Sequence, residues 1–159
     1  MSFRTRLVIL AAVALAAVAV PSTAQVADRK IITLDGAKKI MAAAEAEARK
    51  NNWTVAIAVV DEAGNLIAFQ KLDDTQVGSI DIAIGKARTA ARMKRPTKAL
   101  EDAVAGGRTV MLAVEGIVPL EGGVPVTVDG RIIGAVGVSG VTSQQDAQVA
   151  TAGAGALGK

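Results

Sequence analysis

The stretch Gly122–Asp146, GGVPVTVDGRIIGAVGVSGVTSQQD, carries the main fold signal of this chain. Two runs rich in β-branched residues flank Asp129-Gly130. An Asp-Gly pair between such runs is a strong hairpin signal, because both turn positions need a positive φ. The run after the turn, Arg131–Val138, is apolar on both faces, which is typical of a central strand covered on both sides. The stretch therefore predicts a hairpin whose second strand lies inside a sheet.

Two glycines, Gly134 and Gly137, interrupt this central strand. Glycine weakens a strand unless another backbone or a ligand must come close. The strand is expected to end at Ser139-Gly140, and the run Thr142–Gln145 fits a capping box that begins a helix. Exposed amides at a helix start suit carboxylates or phosphates, so this turn is a candidate anion site.

Apolar periodicity predicts the remaining elements. In chain order they are a helix from Leu34 to Lys50 capped by Thr33, an inner strand Val55–Val60, a second strand Leu66–Leu72, a helix from Ser79 to Lys94 with Ser79 as a good N-cap, a short helix after Thr97, and a final helix from Ser143 to Leu157.

The segment Thr109–Val118 is ambiguous, and we expect a turn followed by a strand that begins near Gly116. Hairpin-linked strands with helices before, between and after them predict an α+β fold with an antiparallel sheet. The length suits one domain, which we place at residues 25–159.

The first 24 residues predict a secretory signal peptide. Arg4 and Arg6 precede the apolar run Leu7–Val20, and small residues up to Ala24 offer a cleavage site. Fourteen apolar residues are too few to span a bilayer comfortably, although an uncleaved anchor is the alternative. We therefore expect export to the periplasm or medium, with no stable membrane insertion after cleavage.

Composition excludes several classes of function. The net charge is +3, and it falls to +1 without Arg4 and Arg6, so nothing favours nucleic-acid binding. The chain contains no Cys, His or Tyr, which excludes disulfides, catalytic triads, and zinc sites built on His or Cys. A small exported chain without disulfides is expected to rely on packing or on a homo-oligomer, and the Gly/Ala-rich final helix offers a close-packing surface.

Four motifs, in this order along Thr33–Leu157, resemble the GlcG/HbpS-type haem-binding family. They are VVD-xx-G-x-L at 59–66, S-xx-IA-xx-KA-x-TA at 79–90, GG-x-P at 122–125 continued by DG-x-IIGAVGVSG at 129–140, and the Gln145-Asp146 pair before the Ala/Gly-rich last helix. The resemblance implies a five-stranded antiparallel sheet of profilin-like topology with flanking helices, assembly into an oligomer, and haem as cofactor.

The glycine-rich loop and the strand-to-helix turn also predict a ligand site, to which the resemblance adds Lys86. Its residues would be Lys86, Thr89, Gly122, Gly123, Pro125, Ser139 and Gly140. We expect one cleft in which the Lys86 ammonium and backbone amides bind an anion, a haem propionate or a small carboxylate. The Lys86→Met variant is then expected to lose about ten- to a hundredfold in affinity, with little change in stability.

Each of these residues also has a structural interpretation. Lys86 can extend to solvent, Pro125 can protect a sheet edge, and Asp61 and Asp146 are typical turn and cap residues. The basic run after Lys86 is expected to be a solvated face; it comprises Arg88, Arg92, Lys94 and Arg95.

Haem lacks its usual axial ligands in this chain. Without His, Cys or Tyr, iron would meet Met93, Met111, Thr89, Thr109 or only water. The leading hypothesis is an exported haem- or tetrapyrrole-binding protein in haem sensing or handling. The alternative is an enzyme or metabolite-binding subunit for a small carboxylate, related to glycolate metabolism, and a structural oligomer without a ligand is a third.

Overall fold

Four antiparallel strands form the sheet in the computed structural model, which describes residues 28–157. Across the sheet they are β2 (Leu66–Lys71), β1 (Ala56–Asp61), β4 (Arg131–Ser139) and β3 (Gly123–Val128). Each hairpin supplies one edge strand and one inner strand. The two inner strands, β1 and β4, pair with each other and join halves of the chain that are far apart in sequence.

The Asp-Gly turn has the backbone that its sequence requires. Asp129 has φ 49° and Gly130 has φ 73°, so both lie in the left-handed region. This confirms the predicted hairpin of β3 and β4. The central position of β4 is confirmed too, since every residue from Ile133 to Ser139 is buried.

Helices cover both faces of the sheet. One face carries α1 (Leu34–Lys50) and α4 (Ser143–Ala154), and its core is built from larger side chains such as Ile40, Ile57 and Val138. The other face carries α2 (Ser79–Met93), where nearly every buried contact is an alanine. Small side chains on both sides let α2 lie very close to the sheet.

Local capping signals are mostly confirmed. Thr33 caps α1 by accepting from the Gly36 amide at 3.1 Å, and the capping box at Thr142 is complete. Ser79 is not the cap of α2, because the cap position is Gly78 and the Ser79 side chain is buried against Ser139 instead. The Ser79 hydroxyl therefore takes part in a buried tertiary contact and does not cap its own helix.

The fifth strand was a wrong prediction. Residues Thr109–Ala113 form a 3₁₀ turn, which follows the short helix α3 (Lys98–Ala105), and no strand of the described chain begins between β2 and Gly123. Two side chains bind backbone amides of the next segment: Thr89 accepts from Val118 at 2.9 Å, and Glu101 accepts from Glu121 at 2.6 Å. These two amides are satisfied by side chains and are therefore not available to a sheet ladder.

The final helix packs within the same chain. It ends at Ala154 rather than at Leu157. A Cβ atom on Gly153 would lie 3.1 Å from both the Ala44 Cβ and the Ile40 carbonyl oxygen of α1. Gly153 therefore serves the contact between α1 and α4, and it gives no support to an interface with a second copy.

The predicted signal peptide, residues 1–24, lies outside the described residues. Within residues 28–157, none of the helices has both the length and the apolar character that crossing a membrane requires.

Candidate functional site

Lys86 occupies the centre of a buried ion pair. It lies midway along α2 with 2% of its surface exposed. Its Nζ donates to the Asp146 Oδ2 at 2.8 Å and to the Val138 carbonyl oxygen at 3.0 Å. The side chain therefore does not extend to solvent, and its charge is matched by a carboxylate inside the protein.

Asp146 holds this ion pair from the first turn of α4. Its Oδ1 accepts from the Val141 amide at 3.2 Å, so the residue also serves as the predicted turn former. Burial raises the pKa of the Asp146 carboxyl above its ordinary value, while the hydrogen bond and charge of Lys86 act in the opposite direction. The sequence offered one signal for the pair, since Lys86 and Asp146 each belong to a family motif.

The glycines predicted to line a cleft lie against protein atoms. A Cβ atom on Gly122 would lie 2.8 Å from the Lys86 Nζ, and one on Gly123 would lie 2.4 Å from the Lys86 carbonyl oxygen. A Cβ atom on Gly140 would lie 2.2 Å from the Thr54 carbonyl oxygen. All three glycines are therefore explained by other segments of the same chain that leave no room for a side chain.

The other predicted site residues also have protein partners. The Ser139 hydroxyl lies 3.3 Å from that of Ser79, Thr89 accepts from the Val118 amide, and Pro125 pairs with Ala135 on the edge strand β3. Lys86, Gly122, Gly123 and Ser139 are thus brought together where α2, β3 and β4 meet. Their contact with a ligand stays a prediction.

Asp61 is a structural turn residue, as predicted. Its carboxylate accepts from the amides of Ala63 at 2.9 Å and Asn65 at 2.7 Å, and from the Asn65 side chain at 3.0 Å. Burial acts to raise the pKa of Asp61, but the hydrogen bonds from Asn65 and its neighbours outweigh it and lower that pKa below the ordinary value.

A basic cavity of about 560 Å³ opens at the other end of α2. It lies between the C-terminus of α2, the β1–β2 turn and the β3–β4 hairpin, and none of the predicted site residues lines it. Four cations and one acid take part in its lining, together with an apolar floor that includes Ala91, Ile132 and Ile133; the charged residues are Arg29, Lys30, Lys94, Arg131 and Glu62. The four residues of the basic run are exposed, as the sequence predicts, but the sequence did not predict that Lys94 meets the β3–β4 hairpin at this cavity.

Two of the cavity's cations are already paired. Arg29 lies 3.1 Å from the Glu62 carboxylate, and Lys30 pairs with Asp129 beside the hairpin turn. Among residues 28–157, Lys94 and Arg131 form no ion pair with an acidic side chain. The cavity therefore keeps two positive charges that form no ion pair with an acidic side chain of the described part of the chain.

The residues of the cavity suit the propionates and the ring of a porphyrin. They include no imidazole, thiolate or phenolate that could bind the iron. Pockets for small molecules typically measure about 300–1,000 Å³, and the cavity falls in that range. Its cations suit carboxylates and its floor suits an apolar ring. Thr89, one candidate for the iron, is buried and bonded to Val118. Within residues 28–157, no cluster of three His, Cys, Asp or Glu side chains is placed to hold a metal ion.

Comparison with known proteins agrees with the fold and the motifs. The model of a family described as haem degrading protein HbpS-like matches residues 32–155. Protein GlcG of Escherichia coli strain K12 is 51% identical over 109 residues, which cover 69% of this chain and 81% of that protein.

Solved structures show the same fold. The crystal structure of HbpS aligns with a TM-score of 0.78 at 34% identity, over 85% of this chain and 96% of that chain. The crystal structure of the complex of PduOC with haem aligns with a TM-score of 0.75 at 27% identity, over 80% of this chain and 96% of that one. The family resemblance is therefore confirmed, and the chain belongs to the HbpS-like family.

Proposed function

We propose that this chain is an exported haem- or tetrapyrrole-binding protein that acts in haem sensing or handling. The observation that carries the proposal is that a chain of the same fold, PduOC, has been solved in complex with haem. The family description supports it, because it names haem as the substance on which HbpS-like proteins act.

The structure adds a chemical reason. Haem presents an apolar ring and two propionates, and the basic cavity combines an apolar floor with two unpaired cations. Since the chain holds no His, Cys or Tyr, the affinity would come from ring burial and from charge-assisted hydrogen bonds to the propionates. Haem bound in this way would be exchangeable, which suits sensing or transfer.

A haemin titration tests the function directly. We expect the purified protein to shift and sharpen the Soret band, with saturation at a fixed stoichiometry. A protein that leaves the haemin spectrum unchanged would contradict the proposal. Decay of the bound Soret band with time would show in addition that haem is broken down, the activity in the family's description.

Export is the second part of the proposal, and it rests on the basic, apolar and small-residue pattern of residues 1–24. We expect intact-mass measurement of protein from the periplasm or medium to place the new N-terminus at or near Gln25. A full-length mass in the soluble fraction would overturn it.

A small carboxylate is the alternative ligand, and the basic cavity is the observation that favours it. Its two unpaired cations recognise carboxylates whether or not these are attached to a porphyrin. Calorimetric titration with a dicarboxylate separates this alternative from haem binding.

A further inference from the structure

We propose that the basic cavity is a dicarboxylate subsite in which Lys94 and Arg131 each bind one carboxylate. Under the function proposed above, on which the identity of the ligand rests, the two carboxylates are the propionates of a tetrapyrrole. The subsite is separate from the cluster around Lys86, whose charge is already matched.

Charge is the first argument for this subsite. The lining carries four cations and one acid, and the Arg29–Glu62 and Lys30–Asp129 pairs account for two of the cations. Two positive charges remain on Lys94 and Arg131. A ligand with two carboxylates neutralises the cavity without displacing either internal pair, whereas an anion at Lys86 would have to displace Asp146 at 2.8 Å.

Backbone geometry is the second argument. Arg131 is the first residue of β4, directly after the two left-handed turn residues, and it is opposite Val128 in the ladder. Lys94 ends α2 in the left-handed conformation at φ 51°, with its amide bonded to the Ala90 carbonyl oxygen. A lysine in that conformation costs free energy compared with glycine, and such strain is often found where a side chain is needed in one place.

The third argument is that the cavity wall is braced. Arg92 donates to the Ala63 carbonyl oxygen at 2.8 Å, and Arg88 donates to the Gly64 carbonyl oxygen at 3.3 Å. A Cβ atom on Gly64 would lie 2.7 Å from the Arg92 Nε, so the turn follows the shape of the guanidinium. These contacts fix the β1–β2 turn against α2 and keep Glu62 and Ala63 at the rim.

The floor determines what kind of dicarboxylate the subsite favours. Ile132 is half-buried and Ala63 is exposed, so the cavity lining includes apolar surface that water still reaches. A ligand with an apolar body gains from covering this floor, which a small dicarboxylic acid does only in part. The expected order of affinity is therefore tetrapyrrole dicarboxylate above free dicarboxylate.

The test compares two double variants of the full chain. Lys94→Gln with Arg131→Gln removes the two unpaired charges, and both side chains are exposed, so the fold is expected to persist. Lys39→Gln with Arg108→Gln removes two charges from exposed residues that do not line the cavity. Because both cations are exposed, each contact contributes less than a buried one, and haemin should bind the first variant about ten- to a hundredfold more weakly than wild type and the second as wild type does.

A change in the ligand provides the matching control. Protoporphyrin IX carries two free carboxylates, and its dimethyl ester carries none. We expect the ester to bind wild type as weakly as the free acid binds the Lys94→Gln, Arg131→Gln variant, with no further loss when both changes are combined. The affinity of the free acid for wild type should also fall as salt is raised, because exposed charges are screened.

The outcomes separate the subsite from the function. If haemin binds wild type and both double variants equally, the subsite is wrong while haem binding stands. If haemin does not bind but succinate binds wild type and not the Lys94→Gln, Arg131→Gln variant, the subsite stands for free dicarboxylates and the proposed function fails. If neither haemin nor succinate binds wild type, both are overturned.

Discussion

Lys86 and Asp146 form a buried ion pair that joins α2 to α4. Their side chains are each 3% exposed. Burying two charges costs several kcal/mol each, and the attraction offsets this only when the remaining hydrogen bonds are made. In this protein both charged groups have a further hydrogen bond: Lys86 donates to the Val138 carbonyl oxygen, and Asp146 accepts from the Val141 amide.

The Lys86→Met variant is therefore expected to lose about 3–5 kcal/mol of unfolding free energy, because Asp146 is left as a buried carboxylate without a positive charge beside it. This corrects the expectation from sequence that stability changes little. Denaturant unfolding at neutral pH measures the loss, with Lys39→Met on the exposed face of α1 as the control. Adding Asp146→Asn, which keeps an oxygen for Val141, should recover part of the loss. Equal stability of the two lysine variants would contradict the interpretation.

Asp61 gives a prediction of pH dependence. Hydrogen bonds place its folded pKa below the ordinary value of 3.8, so its ionised form stabilises the fold above pH 3.8, and that contribution is lost as the pH falls through the folded pKa. Asp61→Asn should cost about 1 kcal/mol at neutral pH.

The difference in unfolding free energy between wild type and Asp61→Asn should then shrink on acidification below pH 3.8. Denaturant unfolding of both proteins across this range measures it. A difference that stays constant or grows would show that the Asp61 charge does not contribute in the way its hydrogen bonds indicate.

Between secondary-structure elements, the contact of α2 with β4 depends on the absence of side chains. A Cβ atom on Gly137 would lie 2.1 Å from the Ala83 carbonyl oxygen and 2.4 Å from the Ala87 amide nitrogen. These are backbone atoms of a helix and cannot move alone. The helix and strand are therefore matched to the size of glycine and alanine along their whole contact.

Gly137→Ala should destabilise the protein by about 1–3 kcal/mol, because the added methyl group must push α2 away from the sheet. Gly78→Ala is the matched control, since Gly78 has helical backbone angles and a methyl group added there would meet no atom within 4 Å. Thermal unfolding of both variants measures the difference. A Gly137→Ala protein as stable as Gly78→Ala would show that α2 has room to move.

For the molecule as a whole, we propose a homo-oligomer that assembles through the segment between α3 and β3, and not through the final helix. Gly153 packs on α1, so the final helix supplies little free surface there. The segment between α3 and β3 instead exposes four large apolar side chains, and residues of this kind mark an interface when they form one patch. They are Val110, Leu112, Val114 and Leu120.

Replacing Val110 and Leu112 with serine should weaken assembly, since these side chains are 66% and 61% exposed in one chain. Light scattering at micromolar concentration measures the mass. Gly155→Leu is the contrasting variant, because a Cβ atom there would meet only its own helix, at 3.4 Å or more; loss of assembly in this variant would place the interface at the end of α4 instead. A wild-type monomer at that concentration would remove the proposal.

Features that depend on neighbouring residues could be predicted from the sequence alone. The Asp129-Gly130 turn, the start of α1 at Thr33 and the capping box at Thr142 all follow from contacts within four residues. The family was also visible, because its motifs carry the same local constraints. The α+β class followed from the order of these elements.

Features that join distant parts of the chain needed the folded structure. Lys86 and Asp146 are 60 residues apart, and no local pattern pairs them. Amides in the segment before Gly123 bind the side chains of Thr89 and Glu101, which lie on other elements, and the expected fifth strand does not form. Lys94 and Arg131 border one cavity only because α2 ends beside the hairpin turn. A charge or an amide has many partners available in sequence, and the packing of the helices on the sheet selects one of them.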